Sequence, residues 1–157
     1  MVSKPIVKVI GTGGTIASIG SHRLDITTYS ETGLMIPVKE SLDRIPEVSD
    51  FAEIRSEDLM SEASGSIGPT EWLVIGRHID DILIREPDVD GIVVTHGTGT
   101  MEETAYFLQL TLKTSKPVVM TGAMRPASAL GTDADLNLYN AIRVASDSTA
   151  TGKGVLV

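Results

Sequence analysis

The sequence has no cysteine. That excludes a disulfide framework, a thiol nucleophile and a thiolate metal site, and it leaves the compartment open. Basic residues are in deficit: 13 Lys and Arg stand against 21 Asp and Glu, giving a net charge of −8. A field of that sign repels phosphate, so neither nucleic acid nor an anionic membrane is expected as a partner. No stretch approaches the roughly 20 apolar residues of a spanning helix. Met1-Val2-Ser3-Lys4-Pro5-Ile6-Val7-Lys8-Val9-Ile10 holds one short apolar run broken by Lys8, with no small-residue cleavage site. It is not read as a signal peptide, and the expected location is cytoplasmic. The three histidines, His22, His78 and His96, form no close ligand pair, so neither a metal site nor a cofactor is expected.

What remains is enough for a core. The 157 residues suit one domain, and a chain of that size buries roughly 68–70% of its unfolded surface. Hydrophobic residues make up 41% and charged residues 22%, which is not a disordered composition. Short runs rich in β-branched residues predict strands over 6–10, 51–55, 91–94 and 117–120, with another opening at 154–157. Helices are predicted over 37–45, from Pro69 to Pro87, after Thr100, and over 136–145. Residues 18–34 are polar, turn-rich and without period, a loop of the length usually kept for function. Strand, loop and helix alternate, and the strands read as continuously apolar. The fold class is therefore α/β, a parallel sheet with helices on both faces. In such sheets ligands sit beyond the carboxyl ends of the strands. The Gly, Ser and Thr-rich loops at 11–15, 61–68, 95–100 and 121–123 are expected to converge there.

Those loops offer hydroxyls and backbone N–H groups, the equipment for gripping a carboxylate or an oxyanion. A threonine hydroxyl becomes a nucleophile when a base takes its proton. Thr15, Ser64 and Thr98 are the hydroxyls in question. Rival motifs fail. Gly11-Thr12-Gly13-Gly14-Thr15-Ile16 lacks the third glycine and the following helix of a dinucleotide fingerprint. Gly152-Lys153-Gly154 lacks the rest of a phosphate loop, and Ala63-Ser64-Gly65-Ser66 lacks the first glycine of a nucleophile elbow. The plainer readings make His96 a buried, hydrogen-bonded histidine, Trp72 a core residue, and Glu102 and Glu103 acids favoured at a helix N-terminus.

Gly11-Thr12-Gly13-Gly14-Thr15-Ile16-Ala17, Thr95-His96-Gly97-Thr98-Gly99-Thr100-Met101-Glu102-Glu103-Thr104 and Lys116-Pro117-Val118-Val119-Met120-Thr121-Gly122-Ala123-Met124-Arg125-Pro126 come in this order, followed by Asn137-Leu138-Tyr139-Asn140-Ala141. Together these motifs resemble the N-terminal domain of the bacterial-type L-asparaginase/glutaminase family, over nearly the whole of 1–157. The resemblance implies a Rossmann-like domain that hydrolyses asparagine or a related small carboxamide to aspartate and ammonia. It implies Thr15 as nucleophile through an acyl-enzyme, Thr98 as the second catalytic hydroxyl, and Tyr29 beside the nucleophile on a loop. It implies substrate contacts from Ser64 with the adjoining Gly65, from the position of Gly99, and from the backbone of Ala123. The site holds no cofactor in that family, and the family forms dimers and tetramers.

Two departures bear on the reading. The family pattern carries an aspartate, which binds the substrate's α-amino group, where this chain has Gly99. A second reason for glycine there would be a positive φ. The family's catalytic lysine and its smaller C-terminal domain would both lie beyond Val157, so the resemblance implies a longer protein. The alternative from another class is a catalytically impaired domain that binds a small carboxylate or amide and regulates. A third reading, a nucleotide at 11–15, would require protection by nucleotide against thermal unfolding.

Overall fold

The computed structural model describes residues 3–157, so the first two residues of the N-terminal segment read above lie outside it. Five strands form one all-parallel sheet: β1 (Ile6–Gly13), β2 (Glu53–Glu62), β3 (Gly91–Thr95), β4 (Val118–Thr121) and β5 (Val155–Leu156), in the order β2-β1-β3-β4-β5. Four helices connect or flank them: α1 (Val38–Asp43), α2 (Pro69–Arg85), α3 (Met101–Thr111) and α4 (Ala134–Ala145). None is long and apolar enough to cross a membrane.

The apolar strands divide between two cores, because successive side chains alternate faces. Val7, Val9, Val93 and Val119 pack with Leu138 and Ile142 of α4 and with Val38 and Leu42 of α1. Ile10, Ile92, Val94 and Met120 pack on the other face with Ile75, Ile79 and Ile82 of α2 and Leu108 of α3. Helices on both faces explain why β1, β3 and β4 carry no polar alternation.

The second strand departs from expectation. It runs over Glu53–Glu62 rather than 51–55, and its sequence, Glu-Ile-Arg-Ser-Glu-Asp-Leu-Met-Ser-Glu, is mixed rather than apolar. Its position supplies the reason: β2 is an edge strand hydrogen-bonded only to β1, and most of it is half-buried or exposed. Charged residues at an edge also discourage pairing with a second chain. Here they form a network over the sheet. Lys8, buried in β1, donates to Glu86 at 2.9 Å and lies 3.4 Å from Glu57. Glu57 also meets His78 Nε2 at 2.8 Å, and Arg55 reaches Glu86 and Asp88. A buried ammonium is tolerated only when paired in this way.

The hydrogen bond from Lys8, opposed by desolvation and helped by Arg55, holds the Glu86 carboxyl below the usual carboxylate range. A carboxyl with a depressed folded-state pKa stabilises the fold above its unfolded value, about 4.3. That contribution is lost as pH falls through the lower folded value. Glu86→Gln is therefore expected to lower stability at neutral pH and to flatten the loss below pH 4. Urea unfolding at pH 7 and pH 3 checks this, and an equal effect at both pH values would refute it.

Candidate active site

Parallel pairing sends the ends of β1, β3 and β4 to one edge, in register through Gly11↔Thr95 and Thr95↔Thr121. The exits there lie unusually close together. Gly14 has φ +83° and ψ −178°, a conformation essentially confined to glycine. A Cβ on Gly14 would also overlap the Cα and N of Gly97. Gly97 in turn lies against the 3-10 turn of Ser64–Ser66: a Cβ there would stand 2.5 Å from Ser64 Cβ and 3.1 Å from its N. The β1 and β3 exits thus meet backbone to backbone, and Ser64 packs directly on Gly97.

Side-chain hydrogen bonds fasten the exits. The Thr12 hydroxyl donates to the Thr95 carbonyl at 2.7 Å, and the Thr100 hydroxyl donates to the Ser64 carbonyl at 2.7 Å. His96 is fully buried; its Nδ1 lies 2.7 Å from the Gly97 carbonyl and its Nε2 3.1 Å from the Thr104 hydroxyl. Desolvation pushes its pKa down against the opposing pull of the Gly97 carbonyl, which favours the neutral ring. With Nδ1–H donating to a carbonyl, Nε2 is left as the acceptor. His96 is thus the buried, hydrogen-bonded residue expected, and Glu102 and Glu103 occupy the exposed first turn of α3. Trp72 packs on the α2–α3 core with its ring centroid 5.8 Å from that of Phe107. At the β4 exit Asn137 Nδ2 donates to the Gly122 carbonyl at 2.9 Å, and Asp133 accepts from the N–H groups of Met124 and Arg125.

The long loop folds back beside these exits. Ser18 and Met35 bridge in antiparallel fashion, and a 3-10 turn over Tyr29–Thr32 brings the Tyr29 hydroxyl to 3.0 Å from Thr15 Oγ1. Between loop and exits lies a cleft of about 390 Å³ lined by Thr15, Ser18, Tyr29, Ser30, Ser61 and Ser64, with Leu34 and Met35 on its apolar side. Thr15, Tyr29 and Ser64 are thus brought together. Thr98, Gly65, Gly99 and Ala123 do not line this cleft. Thr98 is half-buried with its Cγ2 against Gly122, Gly99 lies beside Ser64 Oγ, Gly65 faces open space, and Ala123 is buried in the α4 core. Gly99 is not among the positive-φ glycines, so backbone strain is not its reason for being glycine. Among the described residues, no group of three or more His, Asp or Glu is placed to hold a metal.

Ser18, Ser30 and Ser61 escaped the sequence reading as site residues. Ser61 lies in a Ser/Gly-rich stretch that does carry a signal. Ser18 and Ser30 reach the cleft only through the fold-back of the loop.

Comparison with known proteins identifies the family and the fold. A family model described as Asparaginase, N-terminal, matches residues 6–157. Glutaminase-asparaginase of Acinetobacter glutaminasificans is 44% identical over 151 residues, covering 96% of this chain and 45% of that protein. A probable periplasmic L-asparaginase of Haemophilus influenzae is 41% identical over 153 residues, covering 98% of this chain and 42% of that protein. The crystal structure of a probable cytoplasmic L-asparaginase from Campylobacter jejuni superposes with a TM-score of 0.90 at 38% identity, over 97% of this chain and 45% of that one. The chain spans less than half the length of these relatives.

The close approach of the exits is directly testable. Gly97→Ala is expected to cost about 1–3 kcal/mol, the scale of overpacking, because the Ser64 turn must move. Gly65→Ala, at a position with nothing within 4 Å, is expected to stay within about 0.5 kcal/mol of the parent. Equal denaturation midpoints for the two variants would overturn the close-packing account.

Proposed function

Because this chain belongs to the asparaginase family, we propose that residues 1–157 form the nucleophile-bearing domain of an amidohydrolase. The whole protein hydrolyses asparagine, or a related small carboxamide, to the carboxylate and ammonia. The observation that carries this reading is the Thr15–Tyr29 hydroxyl pair, 3.0 Å apart on the wall of the cleft that also holds Ser64.

In the proposed reaction Thr15 Oγ1 attacks the side-chain amide carbon. Its proton passes by way of the Tyr29 hydroxyl towards the departing nitrogen, and ammonia leaves. Water then cleaves the threonyl ester, with Thr98 as the second hydroxyl, and restores Thr15. The substrate carboxylate is assigned to Ser64 and the neighbouring Gly65 backbone. The position of Gly99 borders the α-amino end, and the Ala123 backbone is a further contact. Splitting amide hydrolysis into acylation and deacylation replaces one hard step by two easier ones. The reaction calls for neither metal nor organic cofactor.

We assign the protein a homo-oligomeric state and a cytoplasmic location. The latter draws on the Campylobacter neighbour and is opposed by the Haemophilus relative. Light scattering and cell fractionation test them. One observation favours a second reading: Gly99 brings no carboxylate to the site, which suits a binding or regulatory domain without turnover. Ammonia release by the whole protein separates the two.

Two substitutions test the assignment. Thr15→Val is expected to abolish ammonia release by orders of magnitude while leaving the melting temperature near that of the parent. Retained turnover would remove Thr15 from the nucleophile's role. Gly99→Asp is expected to raise activity on asparagine relative to amides lacking an α-amino group, since a charge-assisted hydrogen bond contributes roughly 1.5–3 kcal/mol. A Cβ at 99 would stand 2.7 Å from Ser64 Oγ, so the serine hydroxyl must rotate aside. An unchanged substrate ratio would show that another group holds the amine.

A further inference from the structure

The loop that presents Tyr29 has no strand or helix longer than one turn to hold it. It is nevertheless closely knit, and most of the knitting passes through one side chain. Asp25 is buried at 5% exposure within an otherwise exposed stretch. Its Oδ1 accepts from both the N–H and the hydroxyl of Thr28 at 2.9 Å, and its Oδ2 accepts from the N–H and hydroxyl of Ser21 at 3.1 and 3.2 Å. Four donors on one carboxylate close the loop between residues 21 and 28. Thr28 immediately precedes Tyr29 and is the N-cap of its 3-10 turn. Thr32 closes the far side, its hydroxyl accepting from Leu34 N–H and lying within hydrogen-bond reach of the Ile19 and Tyr29 carbonyls. Among the described residues, two bonds anchor the first half of the loop to the β4 exit segment, Gly20 N–H to Ser128 Oγ and Leu130 N–H to the Arg23 carbonyl.

We propose that Asp25 is a positioning residue that sets the Tyr29 hydroxyl against Thr15 by tying Thr28 to Ser21. The inference rests on the proposed roles of Thr15 and Tyr29. Desolvation pushes the Asp25 carboxyl up, but the bonds from Thr28 and Ser21 outweigh it and hold the pKa down to about 2. The tie is therefore ionised, with all four acceptor positions available, throughout the pH range of ordinary assays. Without it, Thr28 keeps only the backbone, and the Tyr29 hydroxyl is no longer fixed to the few tenths of an ångström that proton transfer requires.

The test uses the whole protein with Asp25→Ala, Asp25→Asn, Tyr29→Phe and the Asp25→Ala/Tyr29→Phe double variant. Asp25→Ala is expected to lower kcat about 10–100-fold, the cost of misplacing a reacting group by about 1 Å. KM should stay within about twofold, because an interaction needed only at the transition state is lost. Asn keeps one acceptor for Thr28 and should recover part of the loss, which also guards against an alanine variant that fails to fold. In the Tyr29→Phe background Asp25→Ala should cost less than about twofold more, since both changes remove the same hydroxyl from the same place. Wild-type kcat in Asp25→Ala, or losses that multiply in the double variant, would overturn the proposal. Trypsin cleavage after the exposed Arg23 supplies a readout independent of turnover, expected to be about tenfold faster in Asp25→Ala. Unchanged cleavage would show that Asp25 does not hold the loop, even if the wild-type protein releases no ammonia and the functional reading fails by itself.

Discussion

Everything at the carboxyl edge of the sheet depends on backbone meeting backbone at Gly14 and Gly97. A parallel sheet brings its strand ends to one edge, but side chains normally keep the exits apart. Here the β1 exit touches the β3 exit, and the β3 exit touches the Ser64 turn, because two positions carry no Cβ. That contact places Thr15, one residue past Gly14, on the same cleft wall as Ser64. It also brings Gly14 N–H to the Glu62 carbonyl at 2.9 Å, which ties the end of β1 to the strand that leads into Ser64. The edge strand β2 makes this possible by running four residues, Leu59 to Glu62, past its last regular pair with β1, Gly11↔Asp58. The register shift between Gly11 and Gly13 lies at that point. The bulge and the glycines are one device: the first swings the end of β2 over the strand exits, and the second lets it approach.

Close backbone contact is costly if it strands polar groups, and the hydroxyls and amide around it remove that cost. Thr12, Thr100 and Asn137 each pair a carbonyl at a strand exit or in the Ser64 turn. Each such bond nets only about 1 kcal/mol, whereas a buried carbonyl left without a donor costs about 1–3 kcal/mol. The buried His96 belongs to this group. Its neutral ring spans the Gly97 carbonyl and the Thr104 hydroxyl, so it stiffens the loop carrying Thr98 without placing a charge in the core. The threonines of the 95–104 segment therefore divide by partner: the half-buried Thr100 and the buried Thr104 fasten the loop, and Thr98, also half-buried, lies against Gly122.

The sequence was most legible where burial is two-sided. β1, β3 and β4 sit inside the sheet and their apolar runs follow from that; β3 and β4 were read to within one residue, whereas β1 continues three residues past the expected 6–10, through its glycines to Gly13. β2 was misplaced because an edge strand needs neither a continuous nor a cleanly alternating apolar pattern; the charges of Arg55, Glu57 and Glu86 serve a network that only the tertiary pairing with Lys8 explains. In the site, Thr15 and Ser64 stood in glycine-rich stretches and could be singled out. The contributions of Ser18, Ser30 and Met35 could not, because they depend on a fold-back fixed by Asp25 and by a bridge between residues 17 positions apart. An aspartate amid serines and threonines in a polar loop looks like solvated surface. Only the convergence of four donors on it shows otherwise.

The cleft that results contains no charged side chain among its lining residues: glycines, hydroxyls, Leu34, Met35 and Ala63 make up the wall. On a chain with a net charge of −8 this is a local exception. It has a chemical consequence. Hydroxyls and backbone N–H groups can hold a carboxylate without a buried cation whose own desolvation would cost several kcal/mol. They also stabilise negative charge that develops on a carbonyl oxygen, because their dipoles are already oriented when the reaction begins. An ammonium group gains nothing comparable, since oxygen lone pairs without a formal charge replace its hydration only in part. In the proposed reading this wall would match a zwitterionic amino acid at its carboxylate and its amide, and its amine would require a carboxylate from outside the wall. Gly99 is exposed beside Ser64 Oγ, and in the proposed reading it stands where such a carboxylate would be placed, so that substrate discrimination would turn on what meets the amine there.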